Sequence, residues 1–123
     1  MTLGIGTDII EIDRIRSAFL EHEERFLKRL FTERERSYCL THRDPVPHLA
    51  ARFCAKEAVV KALGTGIGKE VSWKEIEILN DPLGKPEVHL GPVLQDKIGP
   101  TLVLVSMSHC KLYAVATALW IKR

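Results

Sequence analysis

Cysteine, aromatic residues and net charge are all scarce in this sequence, and it contains no long apolar run. Its three cysteines, Cys39, Cys54 and Cys110, are odd in number and widely spaced, with no C-x-x-C pair. This argues against a disulfide framework or a zinc ribbon and points to a reducing, cytoplasmic setting. Phe, Trp and Tyr make up only 7% of the chain, and the net charge is +2. A nucleic-acid-binding module would carry a dominant basic patch with exposed aromatics, so no nucleic-acid partner is expected. No stretch approaches the ~20 apolar residues that cross a bilayer, so no membrane partner is expected either. The start, Met1 to Asp8, meets a carboxylate early and lacks a basic flank, so it does not read as a signal peptide. What is present is the composition of an ordinary folded protein, 46% hydrophobic and 28% charged. The length fits one domain over residues 1–123.

The pattern of apolar and breaking residues predicts mixed elements. Leu3 to Asp8 alternates large apolar residues with glycine and reads as a strand, its glycine face open to a close backbone or a ligand. Asp13 is placed to cap a helix running through Ile15, Ala18 and Phe19. Phe26 to Phe31 forms a further basic amphipathic stretch. Thr32-Glu33-Arg34-Glu35 has the capping-box pattern and predicts a short helix to about Leu40. Arg43-Asp44-Pro45-Val46-Pro47 is a break. A long alanine-rich helix is predicted from about His48 to Leu63, stopped by Gly64, with a flexible loop to Gly68. Trp73 to Leu79 and Glu87 to Leu90 read as strands around an Asn80–Gly84 turn, with a helix over Pro92 to Ile98. Thr101 to Ser108 and Leu112 to Ile121 predict an antiparallel hairpin. Helices and hairpins in this order indicate α+β and not βαβ repeats.

Three groups of residues could carry chemistry. Asp8 closes a glycine-bearing strand, where a carboxylate can reach a metal without bulky neighbours. Arg52, Lys56, Glu57 and Lys61 recur at helical spacing among apolar residues, just before the glycine loop. A carboxylate beside cations suits a metal–pyrophosphate site, with Glu57 on the ion and the cations on phosphate oxygens; magnesium prefers one or two protein carboxylates. Ser106-Met107-Ser108-His109 places a histidine at a hairpin tip, where it is solvated, binds phosphate or carries protons. A surface pair Glu57–Lys61 and a capping Asp8 are the structural alternatives.

Gly4-Ile5-Gly6-Thr7-Asp8-Ile9, Arg52-Phe53-x-x-Lys56-Glu57-Ala58-x-x-Lys61-Ala62, Gly64-Thr65-Gly66-Ile67-Gly68, Gly84-Lys85-Pro86 and Ser106-x-Ser108-His109 occur together, followed by Tyr113-Ala114. In this order, and over nearly the whole chain, they resemble the bacterial holo-acyl-carrier-protein synthases of the phosphopantetheinyl transferase superfamily. The resemblance implies an α+β fold, an antiparallel sheet with a long helix packed on it, assembled as a homotrimer with active sites between subunits. It implies transfer of 4'-phosphopantetheine from coenzyme A to a serine of apo acyl carrier protein, in support of fatty acid biosynthesis. Asp8 and Glu57 would bind Mg2+ against the pyrophosphate, and Glu57 and Lys61 would be catalytic. Glu57 or a metal-bound water would take the serine proton. Coenzyme A would meet Arg43, Arg52, Lys61, Gly64, Lys85, Pro86 and, from across the subunit interface, His109. Acyl carrier protein would dock on Arg14, Arg25, Phe26 and Arg29. Two stretches depart from the family pattern: Arg43-Asp44-Pro45, where only Arg43 is basic, and the acidic His22-Glu23-Glu24. A magnesium-dependent phosphodiesterase or nuclease is the rival reading, since two carboxylates and a lysine also serve phosphodiester cleavage.

Overall fold

The computed structural model describes residues 1–64 and 72–123. In chain order these form β1 (Thr2–Glu11), α1 (Ile12–Leu30), α2 (Glu33–Leu40) and α3 (Val46–Leu63). A 3-10 turn (Trp73–Glu75) follows, then β2 (Ile76–Asn80), β3 (Pro86–Leu90), α4 (Pro92–Ile98), β4 (Thr101–His109) and β5 (Tyr113–Lys122). The fold is α+β, as the order of elements predicts. β1, β5 and β4 make an antiparallel sheet in that spatial order, and β2 pairs with β3 in a separate hairpin.

The long helix α3 lies across the inner face of the three-stranded sheet and touches all three strands. Small residues make that approach possible. β5 turns Ala114, Ala116 and Ala118 inward, and all three are buried, as are Ala55, Ala58 and Ala62 of α3. On β1 the inward positions are Gly4, Gly6 and Asp8. A Cβ on Gly6 would stand 2.1 Å from the carbonyl oxygen of Ala58, and one on Gly4 2.0 Å from that of Ala62. Only glycine permits backbone contact of this kind. The outer face of the same sheet is apolar and open, with Ile5 and Ile9 of β1 68% and 63% exposed.

A buried ion pair ties the rest of the fold to α3. Lys56 and Glu35 are both 0% exposed and 2.7 Å apart. The ammonium also donates to the carbonyls of Leu30 (2.7 Å) and Trp73 (3.1 Å). Glu35 accepts from the backbone N–H groups of Thr32 (2.9 Å) and Ile78 (2.8 Å). One pair thus joins the end of α1, the start of α2 and the middle of α3 to the 3-10 turn and β2. Burial pushes the Lys56 ammonium below its ordinary pKa, against the opposing pull of Glu35.

Most predicted elements are present, with shifted limits. The capping box closes as expected, Glu35 N–H donating to Thr32 Oγ1 at 3.2 Å. β1 continues to Glu11, and Asp13 does not cap: Glu11 holds the N-cap position without a side-chain bond, and Asp13 falls in the first turn. The two expected stretches before Phe31 are one helix kinked at His22, whose φ of −138° is not helical. α3 begins at Val46 because Pro47 fits a first turn, where no N–H donor is needed. Trp73 opens a 3-10 turn instead of a strand. Gly64 ends α3 at φ 71°, as predicted, while residues 65–68 of the expected loop lie outside the described residues.

Candidate active site

The close contact of β1 with α3 assembles a carboxylate cluster. Asp8 extends the glycine face of β1 by one more inward position. On α3, Phe53, Glu57 and Lys61 follow at four-residue intervals and share one face. Together with Arg14 of α1 they line an open pocket. Lys61 Nζ donates to Asp8 Oδ1 at 3.0 Å and to the Thr7 carbonyl at 3.1 Å. The Asp8 side chain is 18% exposed and that of Lys61 is 53% exposed, so the lysine remains reachable from solvent.

Glu57 is half-buried and, among the described residues, accepts no hydrogen bond. Burial raises its pKa, the nearby Asp8 carboxylate raises it further, and Lys61 partly offsets both. The two carboxylates lie close enough to repel one another, and the Glu57 side chain has no hydrogen-bond partner among the described residues, a donor set that a cation would suit. Among the described residues no three His, Cys, Asp or Glu side chains cluster as a metal cage. Magnesium, which takes one or two protein carboxylates with water and phosphate, fits the Asp8–Glu57 donor set. Cys54 donates its thiol to Asp8 Oδ2 at 3.6 Å and is buried. Burial, followed by Asp8, raises its pKa to about 12, so it is an inert thiol at neutral pH.

Other predicted site residues lie elsewhere. Arg52 and His109 belong to a second patch around His42 and His48. Arg52 is 2% exposed; it donates to the His48 carbonyl (3.4 Å) and to Asn80, and its guanidinium carbon sits 4.3 Å over the Tyr38 ring. Its Nε is buried without a hydrogen-bond partner among the described residues. Arg43 is exposed beside this patch in sequence and makes no ion pair among the described residues. Lys85 and Pro86 line a third depression, between the β2–β3 turn and β4. Gly64 is exposed at the end of α3.

Of the docking residues, Arg14 lines the carboxylate pocket, while Arg25 and Arg29 are exposed beyond the kink of α1. Phe26 is half-buried, its ring 5.8 Å from that of Phe31. Lys56, grouped with the phosphate-facing cations by its spacing, instead points into the core toward Glu35. His42 and His48 escaped sequence reasoning, because their partner His109 lies some sixty residues away along the chain.

A family model described as the 4'-phosphopantetheinyl transferase superfamily matches residues 4–118. The chain is 53% identical over 120 residues to a holo-[acyl-carrier-protein] synthase of Protochlamydia amoebophila, covering 98% of each. Among solved structures, the holo-[acyl-carrier-protein] synthase of Neisseria meningitidis is 39% identical with a TM-score of 0.90, over 99% of this chain and 100% of that one. The corresponding Bacillus anthracis enzyme, solved in complex with CoA (3',5'-ADP), is also 39% identical, with a TM-score of 0.84 over 100% of this chain and 99% of that one.

Proposed function

The chain belongs to the 4'-phosphopantetheinyl transferase superfamily, and on that premise we propose that it moves 4'-phosphopantetheine from coenzyme A to a serine of apo acyl carrier protein. It releases adenosine 3',5'-bisphosphate and supports fatty acid biosynthesis as one cytoplasmic domain over residues 1–123. The observation that carries this reading is the Asp8–Glu57–Lys61 constellation in an open pocket beside Arg14. Nothing in the relatives favours the phosphodiesterase alternative.

Asp8 and Glu57 would hold Mg2+, which when bound neutralises and orients the pyrophosphate of coenzyme A. The chain's own residues do the remaining work. Lys61, reachable and pinned to Asp8, holds a phosphate oxygen and stabilises the negative charge that develops during transfer. Glu57, a carboxylate lining the pocket, takes the proton of the attacking serine hydroxyl. Arg14 sits at the pocket's edge, where the carrier must bring its serine; Arg25, Phe26 and Arg29 extend that docking surface along α1 for an acidic partner.

Arg43 and His109 contact further phosphates of coenzyme A, and the buried Arg52 lends its charge from behind them. Lys85 and Pro86 meet the adenine end, and Gly64 meets the coenzyme at the end of α3. These patches and the carboxylate pocket meet across subunits of a homotrimer. The open apolar face of the sheet supports this assembly: Leu3, Ile5, Ile9, Leu102, Leu104 and Val115 are all exposed in the single chain, and apolar patches of this kind mark interaction surfaces.

Mass spectrometry of apo acyl carrier protein after incubation with coenzyme A, magnesium and this protein is the direct test. A carrier heavier by one phosphopantetheine is expected, and Asp8→Ala and Glu57→Ala should each abolish the gain. No gain with several carriers overturns the transferase reading, and full magnesium-dependent activity in either variant overturns the ligand assignment.

A further inference from the structure

Three imidazoles from separate parts of the chain meet near the start of α3. His42, which follows α2, stacks on His48 of the first turn of α3, with ring centroids 3.5 Å apart and planes 24° apart. His109, at the end of β4, meets His48 edge-on at 5.8 Å. Tyr38 of α2 packs its ring against both His42 (4.9 Å) and His48 (6.2 Å). His42 Nδ1 lies 3.1 Å from the Tyr38 carbonyl and 3.3 Å from that of Cys39, so this nitrogen carries the proton and Nε2 faces away from the helix end.

The charges around His48 are lopsided. His42, His109 and the buried Arg52 face it, together with one carboxylate, Asp44. That carboxylate is already engaged: Arg16 donates to both its oxygens, at 3.1 and 2.8 Å, and the Val46 N–H donates at 3.2 Å. The N-terminal end of α3 adds its own positive potential. Burial first, and then the neighbouring His42, His109 and Arg52, hold His48 below its ordinary pKa. The patch therefore gathers more nitrogen bases and cationic groups than carboxylates around His48, a setting suited to an anion.

We infer that His48, held between His42 and His109, takes up a proton when a phosphate group of coenzyme A binds this patch, so that binding tightens as pH falls. The inference rests on the coenzyme reading above and adds a regulatory property of the site and two residues, His42 and His48. An anion among these rings reverses the electrostatic balance that keeps His48 neutral. By linkage, a rise of one unit in the His48 midpoint makes binding about tenfold tighter below the free-state midpoint than well above the bound-state midpoint.

The test is a proton NMR pH titration of the histidine ring resonances, with and without saturating coenzyme A, binding being verified by calorimetry. The chain has five histidines, and His48→Gln identifies the resonance in question. The free-state midpoint is expected below the ordinary imidazole value, with a rise of about one unit on binding. The readout is the histidine itself, so titration of the ligand's own phosphate does not confuse it. In calorimetry, His48→Gln should lower affinity more at pH 6 than at pH 8. Binding with an unmoved His48 midpoint overturns this inference alone; no heat of binding overturns the coenzyme reading and this inference with it.

Discussion

Replacing Lys56 by methionine keeps the length of a side chain that is fully buried and removes only its ammonium. That ammonium has three partners, Glu35, the Leu30 carbonyl and the Trp73 carbonyl, one for each proton. The variant leaves a buried carboxylate without its counter-charge and the Leu30 carbonyl without that donor, while the Trp73 carbonyl keeps the Ile76 N–H. Breaking a buried pair in this way costs about 3–5 kcal/mol, a large part of the 5–15 kcal/mol typical of a whole domain. With an unfolding entropy of about 2.1 cal/mol/K per residue, a chain this long should lose roughly 12–19 °C in Tm. Glu35→Met should cost a similar amount, because it strands the ammonium and the Thr32 and Ile78 N–H groups. The double variant Lys56→Met, Glu35→Met should recover much of the loss, since no unpaired charge remains. Thermal and urea unfolding of the four proteins measures the cycle. A loss below about 1 kcal/mol in Lys56→Met, or costs that simply add in the double variant, would show that the pair does not organise the core.

Three further outcomes test the site and its setting. Gly6→Ala sets a methyl 2.1 Å from the Ala58 carbonyl oxygen; displacing β1 should cost about 1–3 kcal/mol and weaken magnesium binding by separating Asp8 from Glu57. Unchanged magnesium affinity in calorimetry would contradict that coupling. Glu57→Gln should raise Tm at pH 7 in chelator, because the raised pKa of Glu57 makes its ionisation costly in the folded chain. Such a group penalises folding above its folded pKa, and the penalty disappears below the unfolded value, near 4.5; the gain should therefore shrink as pH falls to 4.5. A destabilised Glu57→Gln at pH 7 would refute this. Ile5→Lys changes a side chain that buries little within one chain, so the fold should persist by circular dichroism while sedimentation shows monomer; a persistent trimer would remove the sheet face from the assembly.

Local pattern made much of the architecture legible. Thr32 and Glu35 announced a capping box through their spacing alone, Gly64 announced the end of α3, and the β4–β5 hairpin followed from two β-rich runs with a three-residue gap. Errors fell where local rules admit more than one outcome. Asp13 has a capping side chain but lies two residues past the N-cap, because β1 continues through Ile9 and Ile10 to Glu11. Pro47 breaks a helix in its interior but suits its first turn, so α3 starts two residues before the expected His48.

The chemistry divides along the same line. Residues on one helix face, such as Glu57 and Lys61, are neighbours by helical periodicity, and the glycines of β1 already signal a close approach at Asp8. Those relations follow from backbone geometry and need only the order of residues. Whether a cation on α3 meets solvent or core depends on what packs against each face, and no spacing rule contains that. Lys56 and Lys61 are both helical lysines; tertiary packing buries one against Glu35 and leaves the other beside Asp8. The meeting of His42, His48 and His109 likewise exists only once β4 returns beside the start of α3, because it is a contact across the fold and not along the chain.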